Sequence, residues 1–355
     1  MASGASRRTK RKLFYLTFIV CAAYLCFLYD WTRRFSTRTE NSTNVCANSN
    51  HSPATILLWH WPFGRTYPLN GDMCWDLYKI PGCKVVDKRD EFPNADIVVF
   101  HQKELARKKQ KLPLHLDRPS GQRWAWMSLE APQYNGNLRQ FANIFNLTMS
   151  YRRDADVTLP YGELQPKDDD GETHDFPSNK TKLVCWVVSN FNSRHNRSKV
   201  YKELSAFVEI TVYGRWKKAR LPAPKLLPTI SRCYFYLAFE NSNSKDYITE
   251  KLWRNAYVGG AVPVVLGASI EDYKAVAPPR SFIHVDDFGS AKELASYLQS
   301  LAADKERYRE FFSWRREWKV KLWTDWRERL CKICTSYRCL PQRKVYSDLH
   351  AWANV

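Results

Sequence analysis

The sequence predicts an α/β protein built as two Rossmann-like domains facing a cleft, behind a single transmembrane helix and a short stem. Three observations predict it. Short, nearly continuous apolar runs alternate with helix-like stretches through most of the chain, as expected for a doubly wound parallel sheet whose strands are covered on both faces. An acidic, proline-containing segment at 165–182 (QPKDDDGETHDFPSNKTK) separates two such α/β halves as a linker would. Residues 13–29 (LFYLTFIVCAAYLCFLY) carry no charge and are just long enough to cross a bilayer as a helix.

The N-terminal elements set the topology. Arg7, Arg8, Lys10, Arg11 and Lys12 precede the apolar run with no acidic residue among them, a bias that keeps the first residues cytosolic and sends the bulk across the membrane. A cleaved signal peptide would need small residues after the run, whereas Tyr29, Asp30, Trp31 and Thr32 follow. Five N-glycosylation sequons, at Asn41, Asn50, Asn146, Asn179 and Asn196, agree with a lumenal bulk. So do eight cysteines beyond the apolar run, an even number suited to disulfides in an oxidising compartment. The expected order is a cytoplasmic tail at 1–12, a signal-anchor at 13–29 and a Ser/Thr/Asn-rich stem at 30–53. An N-terminal Rossmann-like domain at 54–165, the linker at 166–182, a C-terminal domain at 183–330 and a cysteine-containing tail at 331–355 complete it. At 44% hydrophobic the chain is not a multi-span protein. Its net charge of +19 suits phosphate-bearing substrates and anionic membranes, and no zinc-finger, RNP-type or basic-zipper pattern supports nucleic acid as a partner.

Within the halves, strands are expected at 55–59, 97–101, 124–129, 183–189, 210–213, 234–239, 262–266 and 282–285, and helices at 198–207, 249–258 and 291–302. Residues 305–330 read as one long, basic, Trp-rich helix.

Three stretches carry chemistry. Residues 236–251 (YLAFENSNSKDYITEK) run from strand through polar loop into helix, which sets the loop at a carboxyl sheet edge, where ligands bind. The helix start offers free N–H groups and a positive dipole end to an anion. Lys251 adds a full charge, and Glu250 can accept hydrogen bonds from hydroxyls; the plainer reading is an ordinary helix capped by Thr249. Residues 185–204 (CWVVSNFNSRHNRSKVYKEL) repeat that pattern, with Ser189 and Asn190 at the strand end and Arg194 and Arg197 both available to a diphosphate. No Gly-Lys-Ser/Thr phosphate loop exists. In residues 124–132 (WAWMSLEAP), Glu130 ends a strongly apolar strand, where a carboxylate can serve as a base.

Together with YRRDADVTLPYG and FENSNSKDYITEKLWRNAYVGGAVPVVLG, these blocks resemble the α1,3-fucosyltransferases that make Lewis-type antigens, over roughly residues 55–334. The resemblance implies a GT-B fold, with the acceptor bound mostly by the first domain and GDP-fucose by the second. It implies Glu130 as general base and Tyr161, Ser189, Asn190, Arg197, Tyr236, Asn241, Tyr247, Glu250 and Lys251 as donor-site residues; the family's spacing selects Arg197 over Arg194. Arg65 and Trp75 are acceptor-contact candidates. Glycans are expected at Asn41, Asn50, Asn146 and Asn179, whereas Asn196, beside Arg197, would crowd the donor. Asp154 and Asp156 have metal-binding spacing, but the family works without an obligatory metal, so no metal and no resident cofactor are expected. The C-terminal Cys-x-x-Cys implies disulfides joining Cys74 and Cys83 to Cys331 and Cys334, with Cys185 joined to Cys233. The expected activity is inverting transfer of L-fucose from GDP-β-L-fucose to O3 of N-acetylglucosamine in lactosamine-type glycans on glycoproteins and glycolipids, at the Golgi membrane. The rival readings are a lumenal glycosyltransferase with another donor or acceptor, and a catalytically silent glycan-binding relative.

Overall fold

A computed structural model describes residues 53–107, 110–167 and 179–354. The apolar run at 13–29, the stem and the sequons at Asn41 and Asn50 lie outside the described residues. No helix among the described residues is long and apolar enough to cross a membrane.

Two parallel sheets form the body. The first contains β1 (Ala54–Leu58), β2 (Cys83–Val86), β3 (Ile97–His101), β4 (Arg123–Ser128), β5 (Leu147–Ser150) and β6 (Val157–Thr158), in the order β2-β1-β3-β4-β5-β6. After β7 (Gly162–Pro166), the second contains β8 (Lys182–Val187), β9 (Ile210–Tyr213), β10 (Cys233–Phe239), β11 (Val262–Leu266) and β12 (Ile283–His284), in the order β12-β11-β10-β8-β9. Both faces of each sheet are covered. Ile56, Leu58, Ile97 and Val99 pack on one side of the first sheet, and Leu57, Val98, Phe100 and Trp126 on the other. In the second, Phe235, Leu237 and Phe239 oppose Tyr236 and Ala238. This is why the strands read as unbroken apolar runs instead of alternating.

The long helix expected at 305–330 does not form. The chain makes a helix at Lys305–Glu310, then β13 (Trp318–Leu322), then a helix at Trp326–Thr335. The WKVKL of β13 alternates with period two, and β13 pairs antiparallel with β7. The stretch after 330, expected as a tail, is packed into the first half. Leu330, Ile333 and Leu340 join one of its cores, and Tyr346, Leu349 and Ala353 the other. Lys344 Nζ lies 2.7 Å from Asp156 Oδ1, and the Tyr346 hydroxyl donates to Asp156 Oδ2 at 2.9 Å.

Disulfides Cys74–Cys331 and Cys83–Cys334 fasten this return, and Cys185–Cys233 links β8 to β10. The first two close loops of 257 and 251 residues. While either bridge holds, breaking the other frees a loop of only about a dozen residues, a loss near 3 kcal/mol in the chain-entropy model. Breaking both costs more than the two single losses together, because each bridge shortens the loop that the other closes. Guanidinium unfolding of the Cys83→Ala/Cys334→Ala protein, the Cys74→Ala/Cys331→Ala protein and the quadruple variant should show the last to exceed the sum of the others; strict additivity would contradict this account.

Candidate functional site

The loops that leave β4 and β10 at their carboxyl ends touch each other. Gln133 Nε2 donates to Asn241 O at 3.3 Å, and Ser242 Oγ donates to Gln133 Oε1 at 2.6 Å. The cleft therefore lies between the carboxyl edges of the two sheets, where an α/β fold exposes strand-end side chains to ligands.

Its second-half wall is organised by Glu240, a residue that sequence reasoning missed. Glu240 follows β10 directly and is buried. Its Oε1 accepts from the Thr249 backbone N–H and hydroxyl, both at 2.8 Å, and its Oε2 accepts from Lys251 Nζ at 2.7 Å. Burial pushes the Glu240 carboxyl up against the pull of Lys251. Burial alone would push the Lys251 ammonium down, but Glu240, then Glu250, hold it above its ordinary value. Burial by itself would raise Glu250 too, yet Lys251, with help from Thr249 and Arg254, holds that carboxyl below the usual carboxylate range. The following helix, Lys251–Val258, is a π-helix and not the α-helix expected from Thr249. Thr249 does not cap it; the threonine instead donates to Glu240.

Arg197 is buried in the helix Asn196–Leu204, and its Nη2 donates to Asn190 O at 2.6 Å. Burial lowers its guanidinium pKa, opposed first by Glu240 and then by Tyr134, Tyr247 and Tyr236. Its Nε has no acceptor. Arg194 is exposed. Tyr236 is fully buried, accepts from Asn255 Nδ2 at 3.0 Å, and has its phenol pushed up to about 12 by burial. Ser189 and Asn190 are exposed at the end of β8, and the buried Asn241 Oδ1 has no donor.

The first-half wall carries Glu130. Its backbone N–H donates to Ser128 Oγ at 3.3 Å, and Ser128 Oγ donates to Asn135 Oδ1 at 2.6 Å, which fixes the turn out of β4. Among the described contacts the half-buried Glu130 carboxylate has no hydrogen bond or ion pair. Tyr161 donates its hydroxyl to Leu129 O at 2.5 Å and meets Tyr247 edge-on at 6.5 Å; Tyr247 in turn packs on Tyr151 at 4.9 Å. Burial raises both the Tyr161 and Tyr247 phenols well above their ordinary value.

An ion trio crosses beside these rings. The Arg153 backbone N–H donates to Asp246 Oδ2 at 3.0 Å and its Nε to Asp246 Oδ1 at 2.5 Å, while Nη2 reaches Asp272 Oδ1 at 2.7 Å. Asp246 sits at φ 59° in the loop after β10, a left-handed conformation that short acidic side chains tolerate when locally bonded.

Of the other expected residues, Arg65 and Trp75 are exposed on the first half. Asn179 and Asn196 are exposed. Asn146 is buried: its Oδ1 accepts from Trp124 N at 2.9 Å and from Arg118, and its Nδ2 donates to Lys344 O at 2.9 Å. Asp154 pairs with Arg152 at 2.7 Å and with Lys245 at 3.3 Å, while Asp156 is taken by Lys344, Tyr346 and Thr148. Among the described residues the one cysteine or carboxylate group tight enough for a metal is Cys74, Cys83 and Cys331, all in disulfides.

Comparison with known proteins matches residues 51–162 to the family model "Fucosyltransferase, N-terminal" and residues 177–352 to "Glycosyltransferase family 10 (fucosyltransferase) C-term". Alpha-(1,3)-fucosyltransferase 7 of Mus musculus is 48% identical over 85% of this chain and 76% of its own length. The Homo sapiens protein of that name is 46% identical, over 84% of this chain and 85% of its own. 4-galactosyl-N-acetylglucosaminide 3-alpha-L-fucosyltransferase 9 of Bos taurus is 40% identical, over 90% and 84%. A crystal structure of an alpha1,3-fucosyltransferase with GDP-fucose superposes with a TM-score of 0.51 at 18% identity, over 75% of this chain and 83% of that one, a likeness of fold.

The Arg153 trio predicts a measurable effect on the loop it grips. Arg153→Met should speed amide hydrogen exchange across residues 241–249 by about tenfold, the equivalent of roughly 1.4 kcal/mol of lost ordering. Unchanged exchange would show that the trio does not order this loop.

Proposed function

Because the chain belongs to glycosyltransferase family 10, the fucosyltransferases, we propose that it transfers L-fucose from GDP-β-L-fucose to O3 of N-acetylglucosamine in lactosamine-type glycans. The products are α1,3-fucosylated structures of the Lewis x or sialyl-Lewis x type. The two sheets act as the paired Rossmann-like domains of a GT-B enzyme, with the acceptor on the first and the donor on the second. The enzyme is anchored in the Golgi membrane by residues 13–29 with its bulk lumenal, a reading supported by the buried disulfides among the described residues.

The observation that carries the mechanism is the contrast between the walls. Glu130 offers an unengaged carboxylate from the first half, and Arg197 and Lys251 offer cations from the second. Glu130 takes the proton from the acceptor O3 hydroxyl. That oxygen forms a bond to the anomeric carbon of fucose as the bond to the β-phosphate oxygen breaks on the opposite side, so the β-linked donor gives an α-linked product. The charge that develops on the departing GDP is met by Arg197, Lys251 and the helix N-terminus, which need not reorganise during the reaction. A diphosphate so stabilised leaves without a general acid and without a metal.

With GDP-fucose and lactosamine, the full chain should transfer fucose in the presence of a chelator and be inhibited by GDP but not by UDP. Glu130→Gln should lower kcat by about 10²–10⁴ while GDP still binds. Normal turnover by that variant would sink the base assignment, and loss of transfer on chelation would sink the metal-free mechanism.

A further inference from the structure

Cys339 is disulfide-bonded, yet the bridges Cys74–Cys331, Cys83–Cys334 and Cys185–Cys233 do not use it. Of the ten cysteines in the chain, that leaves Cys21, Cys26 and Cys46 to partner it. Cys21 and Cys26 stand inside the uncharged run 13–29. Bridged cysteines lie within about 7 Å of each other between Cα atoms. A residue inside a bilayer does not come that close to the water-facing surface of a folded body, and Cys339 is exposed. Cys46, in the polar stretch ahead of β1, remains.

Cys339 is held in one place. It closes the short turn Tyr337–Cys339, with its N–H donating to Ser336 O at 2.9 Å. Leu340, next in the chain, is buried in a core of the first half, and its carbonyl accepts from Arg123 Nη1 at 3.4 Å. The Arg123 guanidinium also lies 4.8 Å over the Tyr337 ring. Arg123 opens β4 as Ala54 opens β1, so the turn lies at the amino edge of the first sheet, opposite the cleft.

The gap is one that residues 46–54 can span. Ala54 is the register partner of Cys83 in the neighbouring strand, a step of about 5 Å. The Cα atoms of Cys83 and Cys334 are 5.7 Å apart. From Cys334 to Cys339 the chain is helix and turn, about 10 Å at helical rises. Laid end to end these steps come to roughly 20 Å, whereas the chain from Cys46 to Ala54 extends to about 26–29 Å.

We propose that Cys46 and Cys339 form a further disulfide, which clips the stem to the amino edge of the first half and leaves the cleft on the side away from the tether. Oxidation joins the two sulfurs and passes two electrons and two protons to a disulfide donor of the lumen, which is left as a dithiol. The free tether then ends at residue 46 instead of 54, so its reach from residue 29 falls from about 85 Å to about 60 Å. The tether rests on the reading of residues 13–29 as a membrane anchor; the bridge itself does not.

The full chain should be alkylated while denatured and unreduced, deglycosylated and digested. Mass spectrometry should then find a joined pair of peptides carrying Cys46 and Cys339 that separates on reduction, from protein that runs as a monomer on a non-reducing gel. Alkylated Cys339, Cys339 joined to any other cysteine, or a disulfide-linked dimer would each overturn the bridge. For the tether, a protease site inserted after Asn48 separates the anchor from the body everywhere except through that bridge. Cleavage on membranes should leave the body sedimenting with them until a mild reductant is added, and the same protein with Cys339→Ser should yield at least about tenfold more soluble body without reductant. Release of the unsubstituted protein by cleavage alone would overturn the tether. Uncleaved protein that fails to sediment would overturn the anchor reading, while the peptide map still decides the bridge.

Discussion

The buried carboxylate of Glu240 is the constraint around which the second-half wall of the cleft is arranged. A carboxylate placed wholly inside a protein is costly unless it is paired with a charge and hydrogen-bonded. Glu240 meets that requirement with the Thr249 N–H, the Thr249 hydroxyl and the Lys251 ammonium. Those partners lie nine and eleven residues further on, so satisfying the charge also ties the end of the loop back to its start. The packing around it admits little change. Gly267, at φ 141°, follows β11, and a Cβ there would come within 2.6 Å of the Glu240 Cβ.

The loop so pinned is also held from across the cleft. Arg153 reaches Asp246 and Asp272, Tyr151 packs on Tyr247, and Gln133 bonds both Asn241 and Ser242. Two sheets joined only by a linker would be free to hinge. Here the β7–β13 pair, the ion trio and the C-terminal return each cross between the halves. The two carboxyl edges that bound the cleft are consequently tied to each other at several points.

Much of this is legible in the sequence where a single local signal suffices. β3, β10 and β11 are unbroken apolar runs, and they form as strands within a residue or two of expectation. Glu130, at the end of such a run, is readable for the same reason. Glu240 ends an equally apolar run, yet the basic and hydroxyl residues after it draw the reading toward an anion site. Its partners become visible only when the loop is closed. β7 and β13 cannot be recognised singly, since each is half-buried and its pairing spans more than 150 residues; the alternation in WKVKL is nonetheless a strand signal, masked by the basic and tryptophan content around it. Asn146 shows the opposite limit. Its sequon is a local pattern, but its burial depends on Lys344, almost two hundred residues away.

The two strand-end glutamates explain how one cleft can hold both a base and an anion site. Both follow inner parallel strands, Glu240 directly after β10 and Glu130 two residues beyond the end of β4. Glu240 is surrounded by donors, so its lone pairs are occupied and its charge serves to hold Lys251 protonated. Glu130 has its backbone fixed by Ser128 and its side chain unengaged. A general base must keep a lone pair open toward the proton it removes, and a saturated carboxylate cannot. On the proposed mechanism the chemistry is therefore divided by solvation and hydrogen bonding, not by residue type: the acid that is fully satisfied builds the site, and the acid that is not performs the proton transfer.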